Sequence, residues 1–220
     1  ARGITAETLD TAFHGVFPLE RVLANDRSQP EFSRTFWSYL KSGVSKNRIQ
    51  KGQRLLKEHG PLFDRIYRKY GVQPRFLVSF WGLESNFGGG TGEIPVISAL
   101  ATLAYDERRR EFFTAELMDA LTILQGGHIP LDKMRGSWAG AMGQMQFIPS
   151  TFVRYAIDAD GDNKKDIWRS LPDVMESAAN YLSQIGWRGD ETWGREVRLP
   201  AGFDLNLAGQ KIRKGLADWQ

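Results

Sequence analysis

The chain has 220 residues, 41% of them hydrophobic and 12% aromatic, with a formal net charge of +3 and no cysteine. That length suits one large domain, or one domain with an accessory lobe, and the missing thiol excludes disulfide scaffolds, thiol catalysis and cysteine–zinc sites. No run of about 18 apolar residues exists, so neither a transmembrane helix nor a signal peptide is expected, and the mild positive charge fits an anionic polymer without the dense Lys/Arg stripe of a nucleic-acid binder.

In chain order, the pattern predicts a short helix over residues 8–16, then Pro18 and a polar turn at residues 25–30. Phe36, Trp37 and Leu40 recur at helical spacing. Ser45 reads as an N-cap, opening a helix that runs to Gly60. Pro61 opens the next, with Leu62, Phe63, Ile66, Tyr67 and Tyr70 on one face and Gly71 as its stop. Pro74 opens a further helix that carries Glu84 through one of the most apolar runs of the chain, and Gly88-Gly89-Gly90 ends it. Glu84 has two readings: a surface acid on a last helical turn, or a partly desolvated acid with a raised pKa.

Residues 96–103 read as a short buried helix and residues 106–124 as a longer one, striped by Phe113, Leu117, Ala120, Leu121 and Leu124. Between residues 136 and 147, small residues alternate with Trp, Met and Gln. This is either a tightly packed turn or a backbone that a ligand approaches, with Ser137, Gln144 and Gln146 as neutral hydrogen-bonding groups. Pro149 and Ser150 start a helix through Tyr155.

Asp158, Asp160, Asp162, Lys164 (by its carbonyl) and Asp166 stand at positions one, three, five, seven and nine of an EF-hand-like calcium loop. Position six is Asn163, and position twelve is Arg169 where a bidentate glutamate is expected, so Asp173 or Glu176 would have to close the site. The other reading is an Asx-rich turn balanced by Lys164 and Lys165. A helix over residues 172–185 follows, then strand-like alternation at residues 196–200 and a helix-like polar pattern over residues 201–220.

His14, His59 and His128 lie in turn or helix-end contexts with neither a Gly-x-Ser-x-Gly elbow nor zinc-ligand spacing, and no phosphate-binding glycine loop is present. What remains is a carboxylic acid, neutral polar groups and aromatics in a helical chain, a set that suits cleavage of a glycosidic bond.

Ordered motifs sharpen this. They are Asp26-Arg27-Ser28-Gln29-Pro30-Glu31-Phe32, Thr35-Phe36-Trp37, Trp81-Gly82-Leu83-Glu84-Ser85-Asn86-Phe87-Gly88, Ala99-Leu100-Ala101-Thr102-Leu103-Ala104-Tyr105, Gly136-Ser137-Trp138-Ala139-Gly140-Ala141-Met142-Gly143-Gln144, Gln146-Phe147-Ile148-Pro149-Ser150 and Ala179-Asn180-Tyr181-Leu182. With them, residues 17–204 resemble the lytic murein transglycosylase B family. The resemblance implies a mainly α fold: an N-terminal helical lobe (1–72), a lysozyme-like core (73–190) and a short C-terminal piece with some β structure (191–220). It also implies a further segment past Gln220 that completes one wall of the groove.

On the same resemblance, Glu84 is the single catalytic acid/base, and Ser137 and Gln146 hold the N-acetyl sugar. Tyr181 stands beside the acid, and Arg108 and Arg109 meet stem-peptide carboxylates. The reaction it implies splits the MurNAc–GlcNAc bond of peptidoglycan without water, closing a 1,6-anhydro ring. A hydrolytic muramidase and a non-catalytic murein-binding module are the alternatives. A monomer in the periplasm is expected, with no cofactor for the chemistry beyond a structural calcium. No nucleic acid is expected as a partner, and any membrane contact would come only through a lipid anchor upstream of Ala1.

Overall fold

The computed structural model describes residues 3–28, 35–191, 194, 196–209 and 211–219. Gln29, Pro30, Glu31 and Phe32, which belong to the first motif, lie outside the described residues. The chain divides into two compact units, Ala1–Gly189 and Asp190–Gln220, and both the expected N-terminal lobe and most of the expected core fall within the first.

Local capping chemistry sets many of the helix boundaries. Helix α1 (Ala6–Phe13) begins where the Thr5 hydroxyl accepts from the Thr8 N–H, α3 (Phe36–Gly43) where Thr35 accepts from Ser38, and α4 (Lys46–Glu58) where Ser45 accepts from Arg48. Helices α5 (Gly60–Tyr70) and α6 (Pro74–Ser85) carry proline in their first turn, and Gly71 closes α5 in the left-handed region at φ 69°. Tyr67, expected on the inner face of α5, is exposed, while Phe63 and Ile66 are buried.

Two boundaries differ from expectation for one shared reason. Residues 25–28 are not a turn but the end of helix α2 (Glu20–Ser28), and helix α8 (Arg110–Gln125) starts four residues later than expected. Asp26 is buried on α2, and the bend before α8 turns Arg108 and Arg109 toward it. A contact between residues 82 positions apart leaves no trace in local pattern.

Helix α7 (Val96–Tyr105) is apolar nearly all round and buries six of its residues, which places it at the centre of the core. Helix α8 packs along it with Phe113, Ala120, Leu121 and Ile123, and α9 (Pro149–Tyr155) packs on α8. The buried Glu116 of α8 accepts from both the N–H and the hydroxyl of Ser150, at 2.9 and 2.7 Å, so a carboxylate meets the N-terminus of α9. Helix α10 (Leu171–Gln184) lies against α5, α6 and α9. The only sheet among the described residues is a two-stranded antiparallel pair, β1 (Ile94–Pro95) and β2 (Arg135–Gly136), with Ile94 opposite Gly136.

The second unit corrects the expectation of β structure near the C-terminus. Among its described residues 196–200 form no strand, and Val197 and Leu199 are exposed. Alternation needs a neighbouring strand to become a ladder, and the described residues supply none. The polar pattern of residues 201–220 yields two 3-10 turns, Leu205–Leu207 and Leu216–Trp219, and no α-helix among the described residues.

Candidate active site

Helix α6 ends abruptly, and the way it ends positions Glu84. Asn86 and Phe87 both take left-handed backbone conformations, φ 52° and 61°, and their N–H groups return to Gly82 and Trp81 carbonyls. The chain therefore doubles back, and the Phe87 ring lies against the helix it has just left, edge-on to Trp81 at 5.5 Å. Gly82 makes room for it: a Cβ there would stand 2.8 Å from Phe87 Cζ. The buried Ser85 hydroxyl accepts from the Gly88 N–H at 2.9 Å and fixes the turn. Asn86 and Phe87, not the three glycines, terminate the helix.

Glu84 looks out from this last turn into a cleft of about 500 Å³ lined by Phe80, Gln146, Phe147, Thr151 and Tyr181 among others. The residue is reachable by solvent, yet protein on both sides displaces much of the water around its carboxyl. That desolvation raises its pKa above the ordinary glutamate value. No hydrogen bond or ion pair to its carboxyl occurs among the described residues, and no second carboxyl or cationic side chain is among those that line the cleft. The structure keeps features of both sequence readings: Glu84 is exposed on the last turn of α6, and partial desolvation of its carboxyl raises its pKa.

The segment from residue 136 to 147 reaches the cleft at its C-terminal end only. Gln146 holds a left-handed backbone at φ 51°. Its Nε2 donates to the Gly143 and Thr91 carbonyls at 2.9 and 3.1 Å, which leaves the amide oxygen as the free acceptor. Tyr181 lines the cleft with its ring against Phe147 and Tyr155. Ser137 does not line it: its hydroxyl oxygen accepts from the Ala139 and Ala141 N–H groups at 3.2 and 3.1 Å and shapes the turn.

Gln144 also stands outside the cleft. It accepts from Trp81 Nε1 at 2.7 Å, donates to the Trp168 carbonyl at 2.9 Å, and joins α6 to the segment before α10. Both ends of its amide are engaged in holding the fold. Sequence reasoning missed Phe80 and Thr151. Phe80 was findable, since it precedes Glu84 by four residues and must share its helix face. Thr151 is brought in by α9 packing, which no local signal announces.

Arg108 and Arg109 are not among the residues lining the Glu84 cleft; they line a separate pocket with Arg110 and Phe112, and both side chains stay partly exposed. Arg108 Nε donates to Asp26 Oδ2 at 2.8 Å, and Arg109 donates to the other oxygen. Burial alone would raise the Asp26 pKa, but the hydrogen bonds and charges of the two guanidiniums more than offset it, and the carboxyl is held below the ordinary aspartate value. This pair is a structural clamp between α2 and the start of α8.

The aspartate loop partly fits a hard cation. Asp158, Asp160 and Asp162 bring one carboxylate oxygen each within 4.8 Å of one another, and no ion pair neutralises them among the described residues. Asp158 accepts from the Gly161 and Asn163 N–H groups at 2.7 and 2.9 Å, which holds the loop curled. Asp166 is not brought into this group; its Oδ1 accepts from the Trp168 and Arg169 N–H groups. Neither expected substitute closes the site. Asp173 accepts from Ala159 and Asp166 N–H groups at 2.8 and 2.7 Å and ties the loop's two ends together. Glu176 is bound by Arg65, Lys69 and Tyr70. Three hard oxygen donors fit calcium in kind, without the bidentate acid that completes a tight site.

A family model described as Transglycosylase SLT domain matches residues 1–220. The chain is 33% identical over 171 residues to the membrane-bound lytic murein transglycosylase B of Escherichia coli (strain K12), covering 75% of this chain and 47% of that protein. SltB3 from Pseudomonas aeruginosa, in complex with NAG-NAM-pentapeptide, matches with a TM-score of 0.94 at 51% identity over 99% of this chain and 58% of that one. SltB3 has also been solved with NAG-anhNAM-pentapeptide. The Escherichia coli lytic transglycosylase Slt35, in complex with calcium, matches with a TM-score of 0.77 at 30% identity over 84% of this chain and 59% of that one. The chain thus spans about half the length of the curated relative and less than two thirds of these solved ones. With a mainly α fold, one desolvated acid in a cleft and a family model matching from end to end, the chain belongs to the transglycosylase SLT domain family.

Proposed function

We propose that this chain is a peptidoglycan lytic transglycosylase that splits the β-1,4 bond between MurNAc and GlcNAc without water, with Glu84 as its single acid and base. The observation that carries the reading is the solitude of Glu84: a carboxyl whose pKa is raised by desolvation, with no second carboxyl among the described residues that line its cleft. A two-carboxylate hydrolase needs a second acid within about 5–10 Å to act as nucleophile or to activate water. Among the described residues that line the cleft there is no second carboxyl.

The steps follow from one carboxyl serving twice. Protonated Glu84 gives its proton to the glycosidic oxygen as the C1–O bond breaks, and the GlcNAc end leaves as an alcohol. The substrate's own acetamido oxygen supports the positive charge at the muramyl C1. The Glu84 carboxylate then takes the proton of the C6 hydroxyl, whose oxygen bonds to C1 and closes the 1,6-anhydro ring. Protons and atoms balance, and Glu84 returns to its starting form. Gln146, with only its amide oxygen free, suits an acetamido N–H, and Tyr181 and Phe80 flank the sugar. Holding the C6 hydroxyl over C1 makes the attack effectively unimolecular. Ser137 acts one step back, by shaping the turn that leads to Gln146.

Asp158, Asp160 and Asp162 would hold a calcium ion that stabilises the loop and takes no part in the chemistry. A murein substrate sets the place of action in the periplasm. Digestion of murein sacculi with mass analysis of the fragments tests the reading. Anhydro-muramyl ends are the expected result. Fragments carrying an added water would establish a muramidase instead, and saturable binding with no soluble fragments would establish a binding module.

A further inference from the structure

A hollow of about 260 Å³ opens on the far side of α6 from the Glu84 cleft, between that helix and α4. Arg75, Val78, Ser79 and Gly82 line it at helical spacing, whereas Glu84 stands two residues past Gly82 and about 200° round the helix. Two glycines let the Phe87 ring form its floor: a Cβ would stand 3.3 Å from Phe87 Cζ at Gly52 and 2.8 Å from it at Gly82. The walls are aliphatic, from Val44, Ile49, Leu56, Val78 and Leu83, and Val44, Ile49 and Leu83 stay about half exposed. One polar group there is unserved. Arg48 Nη1 donates to the Gly43 carbonyl, but its Nε is buried with no hydrogen-bond partner among the described residues. A buried donor left unpaired is costly, so such a group marks a place for an acceptor. Arg75 adds a second cation, its guanidinium 5.0 Å from the Phe76 ring centroid and paired with no acid among the described residues. No carboxyl is among the described residues that line the hollow.

We propose that this hollow binds a small amphiphilic anion, an alkyl carboxylate of about eight carbons, with its chain along the aliphatic walls and its carboxylate on Arg48 Nε and Arg75. At the ~30 Å³ that a water takes in the liquid, the hollow has room for about nine heavy atoms, the chain and part of the head of such an anion. A peptide suits the walls less well, because its N–H and C=O groups would meet aliphatic side chains and find few partners. The Ser79 hydroxyl already donates to the Arg75 carbonyl at 2.7 Å. A neutral hydrocarbon would fill the space and leave the Arg48 donor unpaired. Only a ligand that carries an anion on an alkyl chain answers both the guanidinium edge and the aliphatic walls. The site is independent of the reaction at Glu84, although Phe87 serves both: it floors the hollow and closes the turn that carries the acid.

Calorimetric titration with octanoate tests this, alongside 1-octanol, which has the chain without the charge, and acetate, which has the charge without the chain. Octanoate is expected to bind saturably below its micelle-forming concentration, about tenfold more tightly than octanol, and acetate not to bind. Glu84→Gln should bind octanoate as the parent does, since the acid faces the other way. Arg48→Gln and Arg75→Gln should each bring octanoate toward the affinity of octanol and leave octanol unchanged. Ser79→Leu places aliphatic atoms in the hollow and should abolish binding of both. Arg75 and Ser79 are solvent-exposed, so these two variants are expected to melt like the parent and to carry the test even if Arg48→Gln does not fold. Octanoate affinity unchanged in Ser79→Leu overturns the proposal, as do equal affinities for octanoate and octanol or the lack of saturable binding. Loss of binding in Glu84→Gln would put octanoate in the catalytic cleft and overturn it too. Binding to vesicles of anionic lipid without binding of soluble octanoate would overturn it in favour of a membrane-facing surface.

Discussion

Asp26 and Glu84 depart from ordinary surface acids in opposite directions, and burial is not what separates them. Asp26 is 2% exposed and its charged form is favoured. Glu84 is open to solvent and its neutral form is favoured. At the α2–α8 junction two guanidiniums meet the carboxylate, and their pull exceeds the penalty of removing it from water. In the cleft nothing meets it, so even partial desolvation acts unopposed. An acid that must give up a proton and take it back is better served by the second environment, because a fixed cation would hold it permanently ionised.

Removing the carboxyl of Glu84 tests the comparison hardest. Glu84→Gln is expected to lower turnover on sacculi by roughly 10²–10⁴-fold while leaving murein binding in place; near-normal turnover would show the proton donor to be elsewhere. The pH profile carries the same logic. Activity that needs protonated Glu84 is full at low pH and falls as pH rises through its raised pKa, so kcat/KM should bend above the ordinary glutamate value of about 4.3. A bend at that value would erase the contrast with Asp26.

The opposite carboxyl should matter to stability and not to chemistry. Asp26→Asn leaves Arg108 and Arg109 without their anion and is expected to destabilise the fold by about 2–3 kcal/mol in chemical denaturation, the half-exposed arginines moderating the loss. Because the folded pKa of Asp26 is lowered, its contribution is present above the unfolded aspartate pKa and is lost as pH falls through the folded value. Wild-type stability should therefore drop in acid by more than that of the variant.

The aspartate loop offers a third environment, like charges held together without a cation from the chain. A site lacking its bidentate acid belongs with the weak end of such loops, a Kd of roughly 1 mM. About tenfold that concentration of calcium should then raise stability by about 1.4 kcal/mol, read as a higher Tm that a chelator reverses. No shift would mark the loop as an Asx-rich turn. The smallest effect is expected at Gly82. Gly82→Ala should gain up to about 1 kcal/mol in helix propensity and lose about 1–3 from the clash with Phe87, a net loss near 1 kcal/mol. A stabilised variant would mean that Phe87 does not fix the turn carrying Glu84.

Most of the helices were legible because their ends are local: Thr or Ser caps, proline in a first turn, glycine at a left-handed stop. Glu84 was legible as unusual for the same kind of reason, an acid in an apolar run. What sequence could not carry was commitment between distant groups. Arg108 and Arg109 gave no sign of their commitment to Asp26, and Gln144 stood open between a packed turn and a ligand contact until Trp81 and Trp168 were seen to occupy it. Alternation at residues 196–200 found no partner strand among the described residues. Lone polar residues in a sequence display their chemistry but not whether it is already engaged.

Trp81 lies one turn before Glu84 on α6, and the Gln144 amide fixes it. Glu84 has no polar tether among the described residues, so its aim is inherited from the helix, and the helix is pinned at that level by a neutral group. A bracket made of charges would slacken in brine and change with acidity. A carboxamide answers to neither, so the direction in which Glu84 points should hold steady across swings of ionic strength and pH that alter everything else about the cleft.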